Sequence, residues 1–140
     1  MRNRYEVLPC GRAIIYLRCA GQERATLIDA ADLPRVASLN GMWYAERRKW
    51  TLYAYITVRE PGKPRYTIRM HRFIMQTPQG MEADHINNDG LNNTRRNLRN
   101  VSPEENKTNT RQWGEGYDIG RRWYEARCAE PDYSYIDYLV

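Results

Sequence analysis

Asp84-His85-Ile86-Asn87-Asn88-Asp89-Gly90-Leu91-Asn92-Asn93-Thr94-Arg95-Arg96-Asn97-Leu98-Arg99-Asn100-Val101-Ser102-Pro103-Glu104-Glu105-Asn106 is the stretch on which the reading of this chain turns. It holds one of the two histidines, directly after a carboxylate. Asn97 follows His85 by 12 positions, and Asn106 follows Asn97 by 9. Ser102-Pro103-Glu104-Glu105 is a capping box, with Ser102 at the N-cap, Pro103 at the first helical position and Glu105 at the third. A helix is therefore expected from Pro103, with Asn106 on its first turn. Lys107-Thr108-Asn109-Thr110 continues it with weak helix formers, so tertiary contacts or a ligand must hold it. Asn97 to Val101 alternates polar and apolar residues, as a short strand does. Asn88-Asp89-Gly90 signals a turn, and Met81 to Ile86 can supply the partner strand. The expected unit is strand, loop, strand, helix, with Asp, His and Asn converging.

Outside this stretch, composition sets the bounds. A chain of 140 residues with 41% hydrophobic and 28% charged residues suits one compact domain or one core with small appendages. Eleven tyrosines and four tryptophans stand against one phenylalanine, an aromatic set that packs by one edge and hydrogen-bonds by another. No apolar run approaches the ~20 residues of a membrane span, and no signal-type segment follows Met1, so a cytoplasmic location is expected. The three cysteines lack Cys-x-x-Cys spacing and read as free thiols in a reducing compartment. Net charge is +5. Residues 1–60 hold 10 basic and 6 acidic side chains, residues 61–112 hold 9 and 5, and residues 113–140 hold 3 and 6. The basic excess of the first 112 residues suits phosphate binding.

Along the chain, residues 12–19 and 24–28 are expected strands around a turn at Gly21-Gln22. Residues 29–37 read as a short helix with an aspartate cap. Residues 43–46 and 50–58 form an expected hairpin around Arg47-Arg48-Lys49. In its second strand Trp50, Leu52, Ala54, Ile56 and Val58 share the core face. Thr51, Tyr53, Tyr55 and Thr57 share the other, expected to be solvated, with DNA contact as the alternative. Glu60-Pro61-Gly62-Lys63-Pro64 is the clearest turn or linker, and Tyr66 to Met75 leads on as strand or helix.

Asp84-His85, Asn97-Leu98-Arg99 and Glu105-Asn106 together resemble the HNH endonuclease motif, which has the ββα-metal fold. Phage and intron-associated homing endonucleases are the group most resembled. Met70-His71-Arg72-Phe73-Ile74-Met75 is similar to that group's hydrophobic-His-Arg-hydrophobic lead-in. The resemblance covers about residues 67 to 112. It departs at Asn93-Thr94, where the group often has Asn-Arg; here Arg95 and Arg96 follow. Residues 116–127 resemble, over about a dozen positions, the first strands of an AP2-like DNA-binding domain, here truncated.

The residues and the resemblance together give the expectation of an α+β protein in three parts. These are a β-rich basic region over 1–66 that contacts DNA, an HNH nuclease unit of ββα-metal fold over 67–112, and a short β tail over 113–140. The implied activity is divalent-metal-dependent DNA hydrolysis leaving 5′-phosphate and 3′-hydroxyl ends. Its catalytic residues would be His85, as general base, and Asn97, as an orienting group. Asp84 and Asn106 would be metal ligands, with Mg²⁺ as the ion and Mn²⁺ as the alternative. The chemistry agrees: imidazole suits a base near neutral pH, and hard cations prefer oxygen ligands. Double-stranded DNA would be the partner, in a bacterial or phage-infected cytoplasm, with no membrane involved. Arg47, Arg48, Lys49 and Arg72 are expected DNA contacts. So are Arg95, Arg96, Arg99, Arg121 and Arg122. His71 is expected to be structural or phosphate-facing, with a second catalytic histidine as the alternative. The rival expectation is a non-catalytic DNA-binding protein that retains the HNH scaffold.

Overall fold

In the computed structural model, residues 1–48 and 51–106 are described. The first sheet takes β1 (Tyr5–Val7), β2 (Arg12–Cys19) and β3 (Gln22–Asp29) as an antiparallel meander. Cys19 pairs with Gln22, so Ala20 and Gly21 alone make the turn. Both take positive φ, 49° and 82°, the geometry that a two-residue hairpin requires and that Gly21 adopts without steric penalty. Asp29 was expected to cap a helix. The chain instead makes a 3-10 turn over Ala30–Asp32 and then α1 (Leu33–Ala37), and neither start carries a side-chain cap. The Asp29 carboxylate accepts the Arg95 backbone N–H at 2.8 Å instead.

The second sheet is β4 (Trp43–Arg48), β5 (Thr51–Val58) and β6 (Tyr66–Arg69), also antiparallel. The alternation of β5 works as expected on its inner face, where Leu52, Ala54, Ile56 and Val58 are buried. Its other face departs from expectation. Tyr55 is only 4% exposed and Tyr53 is half-buried, because α2 (Met70–Met75) and β7 (Glu82–His85) close over that face and leave a cleft.

After β7 come β8 (Asn92–Asn93) and β9 (Leu98–Val101). β7 and β9 pair antiparallel, from Glu82↔Val101 to His85↔Leu98. β7 ends at His85, which frees the chain from strict strand alternation there. The helical start at Pro103 also forms, with Ser102 Oγ accepting the Glu105 N–H at 3.2 Å.

These local agreements do not make the expected architecture, and the α+β class built on a ββα-metal unit is corrected. The described residues are mostly β: nine strands in three small sheets, with α1 of 5 residues and α2 of 6. The motif stretch is also woven into the rest. β8 adds to β3 as a parallel partner, Leu27↔Asn92 and Ile28↔Asn93. One core cluster contains Ile15, Ile28, Trp43 and Ile56 together with Met70, Ile74, Leu91 and Leu98. Packing therefore runs across residue 66. The tail over 113–140, with its AP2-like stretch, lies outside the described residues. No described helix is long and apolar enough to cross a membrane.

Candidate active site

A cleft of about 920 Å³ lies over the outer face of the second sheet. Tyr53 and Tyr55 of β5 line it, with Arg47 and Arg48 from β4, Arg69 from the end of β6 and Arg72 from α2. Glu82, Asp84 and His85 come from β7, and Pro103 and Asn106 from the helical start. Four guanidinium groups thus share a cleft with two carboxylates, an arrangement that attracts anions and still offers oxygen ligands. Arg48 and Arg69 each stand 6.0 Å from the centre of the Tyr55 ring, within cation–π range.

His85 is 4% exposed, and its Nε2 lies 2.8 Å from Asn93 Oδ1. The direction of that bond follows from the other end of the amide. Asn93 Nδ2 donates to Thr26 Oγ1 at 2.9 Å, so Oδ1 is the acceptor and His85 Nε2 carries the proton. Thr26 in turn donates to the Leu91 carbonyl at 2.8 Å. A line of buried groups from β3 through β8 thereby sets the tautomer of His85 and leaves Nδ1 as its basic nitrogen. Burial lowers the His85 pKa from 6.5 to about 4, against an upward pull from the Asn93 hydrogen bond. Tyr53 lies against both histidines, ring centres 5.4 Å from His71 and 5.6 Å from His85. Its phenol pKa is raised, first by burial and then by Tyr55 and Asp84.

Lowered histidine pKa values have a sign for stability. An unfolded His85 protonates near pH 6.5 and the folded one near 4, so the unfolded chain gains protons first as pH falls. The stabilisation is complete above pH 6.5 and is lost as pH falls towards 4, by about 3 kcal/mol for this group. His71, also shifted down, acts in the same direction. The expected result is a clearly lower melting temperature at about pH 5 than at about pH 7.5, with a smaller difference in His85→Gln. An equal pH response in the variant would dissociate His85 from this effect.

Asn97 does not line the cleft. Its Oδ1 accepts the Asn87 N–H at 3.1 Å, and its Nδ2 donates to Asn87 Oδ1 at 2.8 Å and to the Asn92 carbonyl at 2.9 Å. It ties both ends of the loop between β7 and β9. Losing this buried amide should lower stability by roughly 1–3 kcal/mol. Melting curves of Asn97→Ala check this, and a wild-type melting temperature would contradict it.

Asp84 and Asn106 both reach the cleft, and Glu82 joins them. Asp84 Oδ2 accepts from Arg99 Nε at 3.1 Å, and Asn106 Nδ2 donates to the Glu82 carboxylate. Among the described residues no group of three His, Cys, Asp or Glu side chains is arranged around a metal position. The donors present still fit a hard cation that keeps most of its waters and takes one or two carboxylates.

The expected DNA contacts divide. Arg47, Arg48 and Arg72 line the cleft. Arg99 pairs with Asp84. Arg95 does not line the cleft: it makes a two-pronged contact with buried Asp32, Nε to Oδ2 at 3.0 Å and Nη2 to Oδ1 at 2.8 Å. Arg96 is exposed away from the cleft lining. Lys49, Arg121 and Arg122 lie outside the described residues. Sequence reading missed Asn93, Thr26, Tyr53, Glu82 and Arg69. Asn93 sat in view, two positions after the turn glycine's neighbour Leu91, but nothing local marks which asparagine of the loop faces a histidine. Comparison with known proteins finds no family model, curated protein or solved structure that matches the chain.

Proposed function

We propose that this protein is a divalent-metal-dependent DNA endonuclease acting through an HNH-like set of residues, and within that class a phage or intron-associated homing enzyme. The reading concerns the residue set and its chemistry, not a ββα-metal architecture. One observation carries it. His85 is held neutral, with its proton committed to Asn93, in a cleft that also presents two carboxylates and four arginines.

In this reading a water oxygen attacks the phosphorus and gives its proton to His85 Nδ1. The P–O3′ bond breaks and the departing O3′ takes a proton from solvent water, leaving a 5′-phosphate and a 3′-hydroxyl. Arg48, Arg69 and Arg72 hold the phosphate backbone. Asp84 and Asn106, with Glu82 beside them, would hold the cation, Mg²⁺ first and Mn²⁺ as the alternative. A bound cation supplies positive charge to the phosphate oxygens and the leaving group. The substrate would be double-stranded DNA.

Purified protein should nick or linearise supercoiled plasmid in Mg²⁺ and do neither in EDTA. Full cleavage in EDTA would contradict the metal-dependent chemistry. The Arg99–Asp84 contact favours a second reading, a non-catalytic DNA-binding protein, because it engages a carboxylate that the reaction needs. Plasmid that is retarded but uncut in Mg²⁺ would select that reading.

A further inference from the structure

His71 lies in the first turn of α2, between Met70 and the Arg72 that lines the cleft. It is 5% exposed, and its Nδ1 is buried with no hydrogen-bond partner among the described residues. A buried N–H without a partner is rarer in folded proteins than an acceptor without one. The ring proton therefore belongs on Nε2. No described side chain or carbonyl takes that proton, and the residue lines the cleft. Its ring centre stands 4.7 Å from that of His85. The two imidazoles are thus set in opposite senses. His85 spends its proton on the protein and keeps a lone pair for the cleft. His71 keeps its lone pair in the interior and turns an N–H to the cleft. Burial, then the neighbouring His85, Arg69 and Arg72, all keep the His71 ring uncharged. An apolar side chain would fill this place beside Met70 and Ile74 without leaving a polar atom unpaired.

We propose that His71 is a second catalytic residue, a neutral hydrogen-bond donor whose Nε2–H meets a non-bridging phosphate oxygen as charge builds on it. No proton is transferred by His71; it stabilises the oxygen, and His85 alone takes the proton from water. The proposal rests on the nuclease reading for its catalytic part. The donor itself is a property of the folded chain.

The experiment compares His71→Phe with His71→Gln, whose amide nitrogen can stand where Nε2 stood. Removing one such donor should lower kcat by about 100-fold. His71→Phe should show that loss with duplex affinity and melting temperature close to wild type. His71→Gln should recover to within about 10-fold of wild type. Wild-type kcat in His71→Phe would overturn the proposal, and so would equal losses in two well-folded variants. A second measurement separates this failure from failure of the nuclease reading. Nitrogen-15 spectra of the histidine rings report the tautomer directly, in EDTA, with and without a short DNA duplex. A protonated Nε2 at His71 that shifts when the duplex is added supports the donor even if the wild type cuts nothing. A protonated Nδ1, or no response to the duplex, overturns it.

Discussion

His85→Ala should lower plasmid cleavage by roughly 10²–10⁴-fold while duplex affinity stays within a few-fold of wild type. Both halves follow from where the imidazole sits. Its Nε2 is spent on Asn93, so only Nδ1 is left for the reaction. In the proposed reaction the substrate backbone meets guanidinium groups on β4, β6 and α2, which line the cleft apart from His85. Asn93→Ala should give a smaller loss, because the base remains but its tautomer is no longer imposed. Gel-based nicking rates and anisotropy titrations of the same preparations read the two quantities. Turnover by His85→Ala at the wild-type rate would remove the residue from the role. Equal losses of rate and affinity would make it a binding group instead.

Gly90→Ala should be the most damaging glycine-to-alanine change among the described residues. A Cβ at this position would stand 2.2 Å from the Leu52 carbonyl and 2.7 Å from a carbon of the Tyr53 ring. The carbonyl belongs to the paired strand β5 and has no freedom to retreat. The loop must move instead, and the Gly90 N–H then loses Thr51 Oγ1, now 3.0 Å away. Overpacking of this kind costs typically 1–3 kcal/mol and on occasion more. The melting temperature should fall by several degrees. Cleavage should fall as well, since Tyr53 packs on both histidines and lies on the path of the displaced loop. A variant that melts and cuts like the wild type would mean that the loop has room the close contact denies.

Short-range features of the fold were legible from residues. β2, β3 and the inner face of β5 follow from period-two alternation, and the start at Pro103 follows from the Ser102 cap. What stayed hidden is long-range. Asp29 looked like a helix cap because capping chemistry is local, yet its carboxylate serves Arg95. Arg95 looked like a phosphate contact because it is basic and sits in the motif, yet Asp32 claims it. Tyr53 and Tyr55 looked solvated because alternation tells two faces apart but not what covers the second. The fold class was hidden for a related reason: the strong local signals of 23 residues say nothing of how the strands elsewhere pair. At the site, Asp84, His85 and Asn106 were readable and do share the cleft. Their supports were not, because Thr26 and Asn93 meet only when β8 joins β3.

That junction also orders events in time. Thr26 and Leu91 lie 65 positions apart. While the chain is being synthesised, the outer edge of β3 has no neighbour until residues 92 and 93 have left the ribosome. An open strand edge invites pairing with the wrong chain, and contacts this distant in sequence slow folding. Until then the edge of β3 that β8 covers is open and His85 has no Asn93 to fix its tautomer. Expression at low temperature or with a chaperone that shields strand edges should raise the soluble yield, and a chain stopped before Asn92 should aggregate.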